Sequence, residues 1–186
     1  MWAVHSETKA RPHYMSPQSP HIIEATSADH LEAVSALFLE YAQSLGWDLS
    51  SGGRFSDEIA KPPGPYAPPA GSLMLAYVGE RAAGVLGLQP VPEDVRIEGV
   101  GADRAGELKR LFVRDDFRRM GIGRLLMERA EDEARLRGYD HLVLTTSSEM
   151  FPLAQSVYDV LGYGPTDPYR SDMANFTTVR WLGKDL

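Results

Sequence analysis

The stretch Leu108–Gly138, LKRLFVRDDFRRMGIGRLLMERAEDEARLRG, decides how the rest of the chain is read. Leu108, Leu111, Phe112 and Val113 make a short apolar strand. Arg114 to Met120 is polar and does not continue it. Gly121 and Gly123 then open a helix with Ile122, Leu125, Leu126, Ala130 and Ala134 along one face, charged residues on the rest, and Gly138 as a stop. This junction suits an anion. The first turn of a helix has backbone N–H groups without intrahelical acceptors, and the helix dipole adds partial positive charge. Gly121 and Gly123 lack a Cβ, so a ligand can approach the backbone, and Arg118, Arg119 and Arg124 bring three cations to the same place. A phosphate or diphosphate is the expected guest.

Two nucleotide signatures are absent. The chain has no GxxxxGK[ST], and Leu126 stands where a dinucleotide fingerprint needs its third glycine. The next apolar run, His141 to Leu144, ends in Thr145 and Thr146 rather than in an acid. What the stretch resembles is the acetyl-CoA-binding segment of the GNAT N-acetyltransferase superfamily, Arg/Gln-x-x-Gly-x-Gly/Ala between a strand and a helix. Here it reads Arg118, Arg119, Met120, Gly121, Ile122, Gly123. The preceding Leu111-Phe112-Val113 matches the strand whose backbone pairs with the pantetheine arm in that family. The resemblance implies acetyl-CoA as co-substrate. It also implies cofactor-binding roles for Leu111, Phe112, Val113, Arg118, Arg119, Met120, Gly121, Ile122, Gly123 and Arg124.

Further along, Ala154 to Tyr163, AQSVYDVLGY, resembles the family's A-x-x-x-Y-x-x-x-G-[FY] helix. There the tyrosine hydroxyl points at the CoA sulfur, which implies that Tyr158 is a proton donor. Its place on an apolar helix face also fits a core tyrosine. Acyl transfer to an amine needs a donor to the thioester carbonyl as its oxygen gains charge, and the backbone N–H of Val113 is expected there. The base is Glu107, directly or through water, or Glu149, or none is needed where the acceptor amine has a low pKa; Glu107 also reads as a strand carboxylate in a salt bridge. The family often has an asparagine at the start of the tyrosine helix, and Glu149 to Leu153, EMFPL, has none. Tyr66 either lines a substrate pocket or is a surface aromatic. Tyr169, in PTDPYR, resembles a position that touches the acceptor in relatives, or it packs on the domain edge.

Composition narrows the partners. A net charge of -7 argues against nucleic acid or an anionic membrane, and mildly favours a cationic substrate. With no cysteine, the chain has no disulfide, thiolate metal site or cysteine nucleophile. It has no run of 18 apolar residues, and its first twenty residues lack an apolar h-region, so a cytoplasmic protein is expected. His5, His13 and His21 are too irregular for a metal site, and the sequon Asn175-Phe176-Thr177 reads as chance.

Residues 1–20 read as a flexible N-terminal tail, within which Met15 is a second candidate start, and residues 21–186 as a single domain. The spacing predicts a strand at His21–Ala25, and a helix capped by Ser27 or Asp29 and ended by Gly46. A short helix at Ser56–Ala60 and the stiff loop KPPGPYAPPAG come next. Strands follow at Ser72–Val78, Ala82–Gln89 and Ala105–Val113, then the motif helix and a strand at His141–Thr145. A helix at Met150–Leu161, a turn at Gly164-Pro165 and a strand at Phe176–Leu182 end the chain. This order and the resemblance together imply a mixed α/β (α+β) fold. Its central sheet is mixed and mostly antiparallel, with one splayed parallel strand pair flanked by helices. The expected function is transfer of an acetyl group from acetyl-CoA to a primary amine of a small molecule or peptide by direct attack. The alternative is a non-catalytic acyl-CoA-binding module. A homodimer is a common state in the family.

Overall fold

The computed structural model describes residues 18–50, 52–92, 95, 97–147, 149, 152–170 and 178–186, with the side chains of Pro152 and Leu153 left aside. The expected tail before Gln18, the alternative start at Met15 and the sequon therefore lie outside the described residues. In chain order the elements are β1 (Pro20–Glu24), α1 (Ala28–Ser44), α2 (Arg54–Ala60), β2 (Ser72–Val78), β3 (Arg81–Pro90) and β4 (Ala105–Val113). Then come α3 (Ile122–Leu136), β5 (His141–Ser147), α4 (Pro152–Val160), β6 (Gly164–Pro165) and β7 (Val179–Asp185). The strands form one sheet in the order β1-β2-β3-β4-β5-β7-β6. Every pair is antiparallel except β4–β5, so the mixed, mostly antiparallel sheet is present. No helix among the described residues is long and apolar enough to cross a membrane.

Local chemistry accounts for most of the boundaries. Ser27 caps α1: its hydroxyl accepts from the His30 N–H at 3.2 Å, and the His30 ring accepts from the Ser27 N–H at 3.5 Å. The Gly79-Glu80 turn joins β2 to β3, with Gly79 at φ 62, a conformation that glycine adopts without steric cost. Two differences from the sequence reading concern the end of the chain. Gly164 and Pro165 pair with Gly183 and Leu182 and so make a strand rather than a free turn. The last strand begins at Val179 and runs to Asp185, past the expected stop at Leu182.

The two faces of the sheet carry different helices. Leu73 and Leu75 of β2 join Val34, Leu37 and Phe38 of α1 in one buried cluster. Met74 and Ala76, between them in sequence, join Leu126, Met127 and Ala130 of α3 in another. Alternation along a strand buried on both sides gives this pattern.

The feature that makes the site is a short parallel pairing. β4 and β5 match only from Ala105–His141 to Leu108–Leu144. Beyond Leu108, β4 pairs with β3, and beyond Leu144, β5 pairs with β7, so the two central strands part. β4 also bulges there. Gly87 pairs with Lys109 and Val85 with Phe112, so β4 has one residue more than β3, and Arg110 takes φ 63. The bulge switches the faces of the strand. Leu108 packs on the α3 side, Phe112 on the α1 side, and Leu111 and Val113 on the α3 side again.

Candidate active site

The parting strands enclose a cavity of about 440 Å³, within the range of roughly 300–1,000 Å³ usual for small-molecule sites. It passes through the sheet. Met127, Ala154 and Tyr158 line it from the α3 and α4 side, and Tyr41 and Trp47 from the α1 side. The strand edges supply Lys109, Arg110 and Leu111 from β4, and Thr145, Thr146 and Ser147 from β5. Backbone direction along β4 follows from one bond: the Arg114 N–H donates to the Ala83 carbonyl at 3.0 Å. Antiparallel alternation then turns the Phe112 N–H toward β3, and the N–H groups of Leu111 and Val113 toward the gap.

Tyr158 is buried, 6% exposed, on the wall of that gap. Burial pushes its hydroxyl far above the usual tyrosine range; the nearby Tyr41 adds to this, and a side-chain hydrogen bond with Thr146 opposes it. The phenol therefore stays protonated, as a donor must. Its ring meets Tyr163 edge-on at 6.2 Å.

Glu107 is fully buried, at 0% exposure. Its Oε2 accepts from Gln89 at 2.7 Å, and its Oε1 accepts from Lys109 at 3.2 Å and from the Tyr169 hydroxyl at 3.3 Å. Arg170 reaches both oxygens at 3.3 Å. Burial pushes the carboxyl up, but Lys109, Arg170 and these hydrogen bonds outweigh it and hold the group below the usual carboxylate range. Such an anion is a weak base. The other candidate base, Glu149, lies exposed.

The start of α3 is open. Gly121 is the N-cap, at φ 76, and no side chain caps the helix. Leu125 N–H donates to the Gly121 carbonyl at 3.1 Å, which leaves the amides of Ile122, Gly123 and Arg124 without a helical acceptor. A Cβ built on Gly121 would meet nothing within 4 Å, and one on Gly123 only Val157 at 3.8 Å. Protein packing therefore does not account for a glycine at position 123. The Arg118 guanidinium donates to the Val113 carbonyl at 3.3 Å and pairs with Asp115 at 2.7 Å. Arg124 pairs with Glu128 at 2.7 Å. Arg119 sits exposed at φ 65, with no side-chain partner among the described residues. Met120 is partly exposed beside it, whereas the Ile122 side chain belongs to the core.

Tyr66 is neither a pocket wall nor a surface aromatic. It is 1% exposed, and its ring lies so close to Gly87 that a Cβ there would come within 2.5 Å of it. Its hydroxyl donates to Glu58 at 2.8 Å. Tyr66 closes the short 3₁₀ turn of the proline loop, Gly64–Tyr66. Tyr169 is also buried, against Trp181 at 4.9 Å, and it touches Glu107 rather than the cavity. Sequence reasoning missed the wall residues Tyr41, Trp47, Lys109 and Arg110. For the last two a signal exists: adjacent cations inside an apolar strand break its period of two, as a bulge does.

Residues 35–163 match the model of the acetyltransferase (GNAT) family. An uncharacterized N-acetyltransferase of Schizosaccharomyces pombe is 32% identical over 130 residues, which is 70% of this chain and 74% of that protein. Among solved structures, an acetyltransferase of the GNAT family from Staphylococcus aureus superposes with a TM-score of 0.67 at 19% identity, covering 90% of this chain and 99% of the other. An acetyltransferase from Streptococcus agalactiae gives 0.65 at 21% identity, over 91% and 99%. At these identities the structures speak for the fold.

Proposed function

Because the chain belongs to the acetyltransferase (GNAT) family, and so is an acyltransferase, we propose that it transfers an acetyl group from acetyl-CoA to a primary amine of a small molecule or peptide by direct attack. The observation that carries this reading is the gap that crosses the sheet, lined by Met127, Ala154 and Tyr158 on one face and by Tyr41 and Trp47 on the other.

Acetyl-CoA supplies the acyl group in activated form, as a thioester. The amides of Ile122, Gly123 and Arg124, with Arg119, hold its diphosphate. The N–H groups of Leu111 and Val113, aimed into the gap, bind the arm and the carbonyl; Leu111 lies on the cavity wall and Val113 does not. The amine nitrogen bonds to the acetyl carbon, the C–S bond breaks, the nitrogen loses a proton to water, and the sulfur takes one from Tyr158. Tyr158 regains its proton from solvent. Glu107 remains charged throughout and positions Lys109 and Tyr169, which suits its partners better than the role of base. Holding the reactants in one cavity removes much of the entropic barrier.

The rival reading, a module that binds acyl-CoA without turning it over, is disfavoured by Tyr158 on the cavity wall, a proton donor that binding alone does not need. Calorimetry with acetyl-CoA and thiol release across an amine library test both. The expected result is binding, with amine-dependent thiol release. Binding without release for every amine would transfer the case to the module, and no binding at millimolar acetyl-CoA would end both.

A further inference from the structure

The charges around the cavity bear on the acceptor, given the acyl-transfer reading above. Its described lining residues include two cations, Lys109 and Arg110, and no aspartate or glutamate. A polyamine or an aminoglycoside carries several ammonium groups and needs carboxylates facing it. This wall has the opposite sign, although the chain as a whole is acidic.

The two cations differ in what they already hold. Arg110 gives Nε and Nη2 to the Glu58 carboxylate at 2.8 and 3.1 Å, and its guanidinium stacks 3.9 Å above Phe55. Lys109 is less satisfied. Its side chain is 11% exposed, and its partner among the described residues is a single oxygen, Glu107 Oε1. That oxygen also accepts from Tyr169 and Arg170. An ammonium has three N–H donors, so a nearly buried lysine that shares one acceptor is short of partners. Burial accordingly draws it below the usual lysine range in spite of Glu107. Beside it, Tyr41 and the half-exposed Trp47 present apolar surface to the same cavity.

We propose that the acceptor amine carries a carboxylate, as an amino acid does, and that Lys109 binds that carboxylate while Tyr41 and Trp47 cover its apolar part. Lys109 is then a specificity-determining residue, and Glu107 holds it in place.

The test is a panel of amino acids, each paired with its decarboxylated amine, for example phenylalanine with phenethylamine and tryptophan with tryptamine. Wild-type kcat/KM should favour the carboxylated members by roughly ten- to a hundredfold, the scale of one charge-assisted hydrogen bond. Lys109→Met should bring the ratio close to one, chiefly through KM, and Lys109→Arg should restore part of it. Wild-type enzyme that prefers the decarboxylated amines, or does not discriminate, overturns the proposal even if Lys109→Met fails to fold. So does a Lys109→Met variant that keeps the preference. A second arm needs no turnover: NMR titration of the wild-type protein with N-acetylphenylalanine and with N-acetylphenethylamine. If no amine releases thiol, the acyl-transfer reading falls, and this titration still decides the point. Tighter binding of the carboxylated compound upholds it; equal or weaker binding overturns it.

Discussion

Tyr158 and Glu107 are both buried ionisable groups, and their surroundings push them in opposite directions. Desolvation keeps Tyr158 neutral, whereas Lys109, Arg170 and hydrogen bonds keep Glu107 charged against its own desolvation. Each difference can be measured. Tyr158→Phe removes only the hydroxyl, so turnover should fall by about a hundredfold or more, the usual contribution of a positioned acid. Acetyl-CoA affinity by calorimetry should stay nearly the same. Unchanged turnover would strip Tyr158 of the donor role. For Glu107 the readout is stability. Its folded-state value lies below the unfolded one of about 4.5. The stabilisation is therefore present above that pH and is lost as pH falls through the folded-state value. Urea unfolding should show a constant gap between wild type and Glu107→Gln from pH 7 to about 4.5, narrowing below it. A gap that does not change down to pH 3 would mean that the carboxylate's charge is not what stabilises the fold.

At the scale of elements, β4 and α3 carry the site, and each depends on one residue with positive φ, Arg110 within β4 and Gly121 at the N-cap of α3. The bulge in β4 holds Arg110 at φ 63, which costs a non-glycine residue about 1–2 kcal/mol. Glu58 offsets this by binding the guanidinium through two bonds while accepting from Tyr66. Glu58→Ala would leave a buried cation and a buried hydroxyl without their acceptor. The expected loss is about 3–5 kcal/mol, read as a fall in Tm of roughly 6–20 °C by calorimetry. A fall of only a degree or two would show that Arg110 finds another partner. At α3, Gly121→Glu places a carboxylate beside the open amides and requires a non-glycine residue at φ 76. Acetyl-CoA binding should be lost, while the circular dichroism spectrum stays that of a folded protein. Retained affinity would remove the helix start from the cofactor site. The ends of these elements were largely legible: β2 and β4 have the expected bounds, because turn residues delimit apolar runs. The bulge left only an indirect mark, the break in alternation at Lys109 and Arg110, because an inserted residue acts through its pairing with a strand some twenty positions away.

Across the whole molecule, two helical layers on opposite faces of one sheet reach a shared gap. The α3–α4 face holds the cofactor in the proposed reading, and the α1–α2 face the acceptor. Ligand that fills the gap bridges strands otherwise held apart, so it should stabilise the fold. Acetyl-CoA at a hundred times its Kd should add about 2.7 kcal/mol, or roughly 5–10 °C in Tm for a chain of this size. Scanning calorimetry with and without acetyl-CoA checks this. No shift at millimolar acetyl-CoA would mean that the folded protein does not bind it.

The sequence by itself determined the order of elements apart from β6, the mixed sheet and the glycine-rich start of α3. Periodicity, caps and turn residues act locally and leave their pattern in adjacent positions. It also brought Tyr158 into view, through a helix motif. Only the tertiary structure decided that β4 and β5 separate after Leu108, that Tyr66 lies in the core, and that Glu107 is enclosed by Gln89, Lys109, Tyr169 and Arg170. Those outcomes depend on groups far apart in the chain meeting in one dry place. There, the balance of burial against charge is set by neighbours that no single stretch contains.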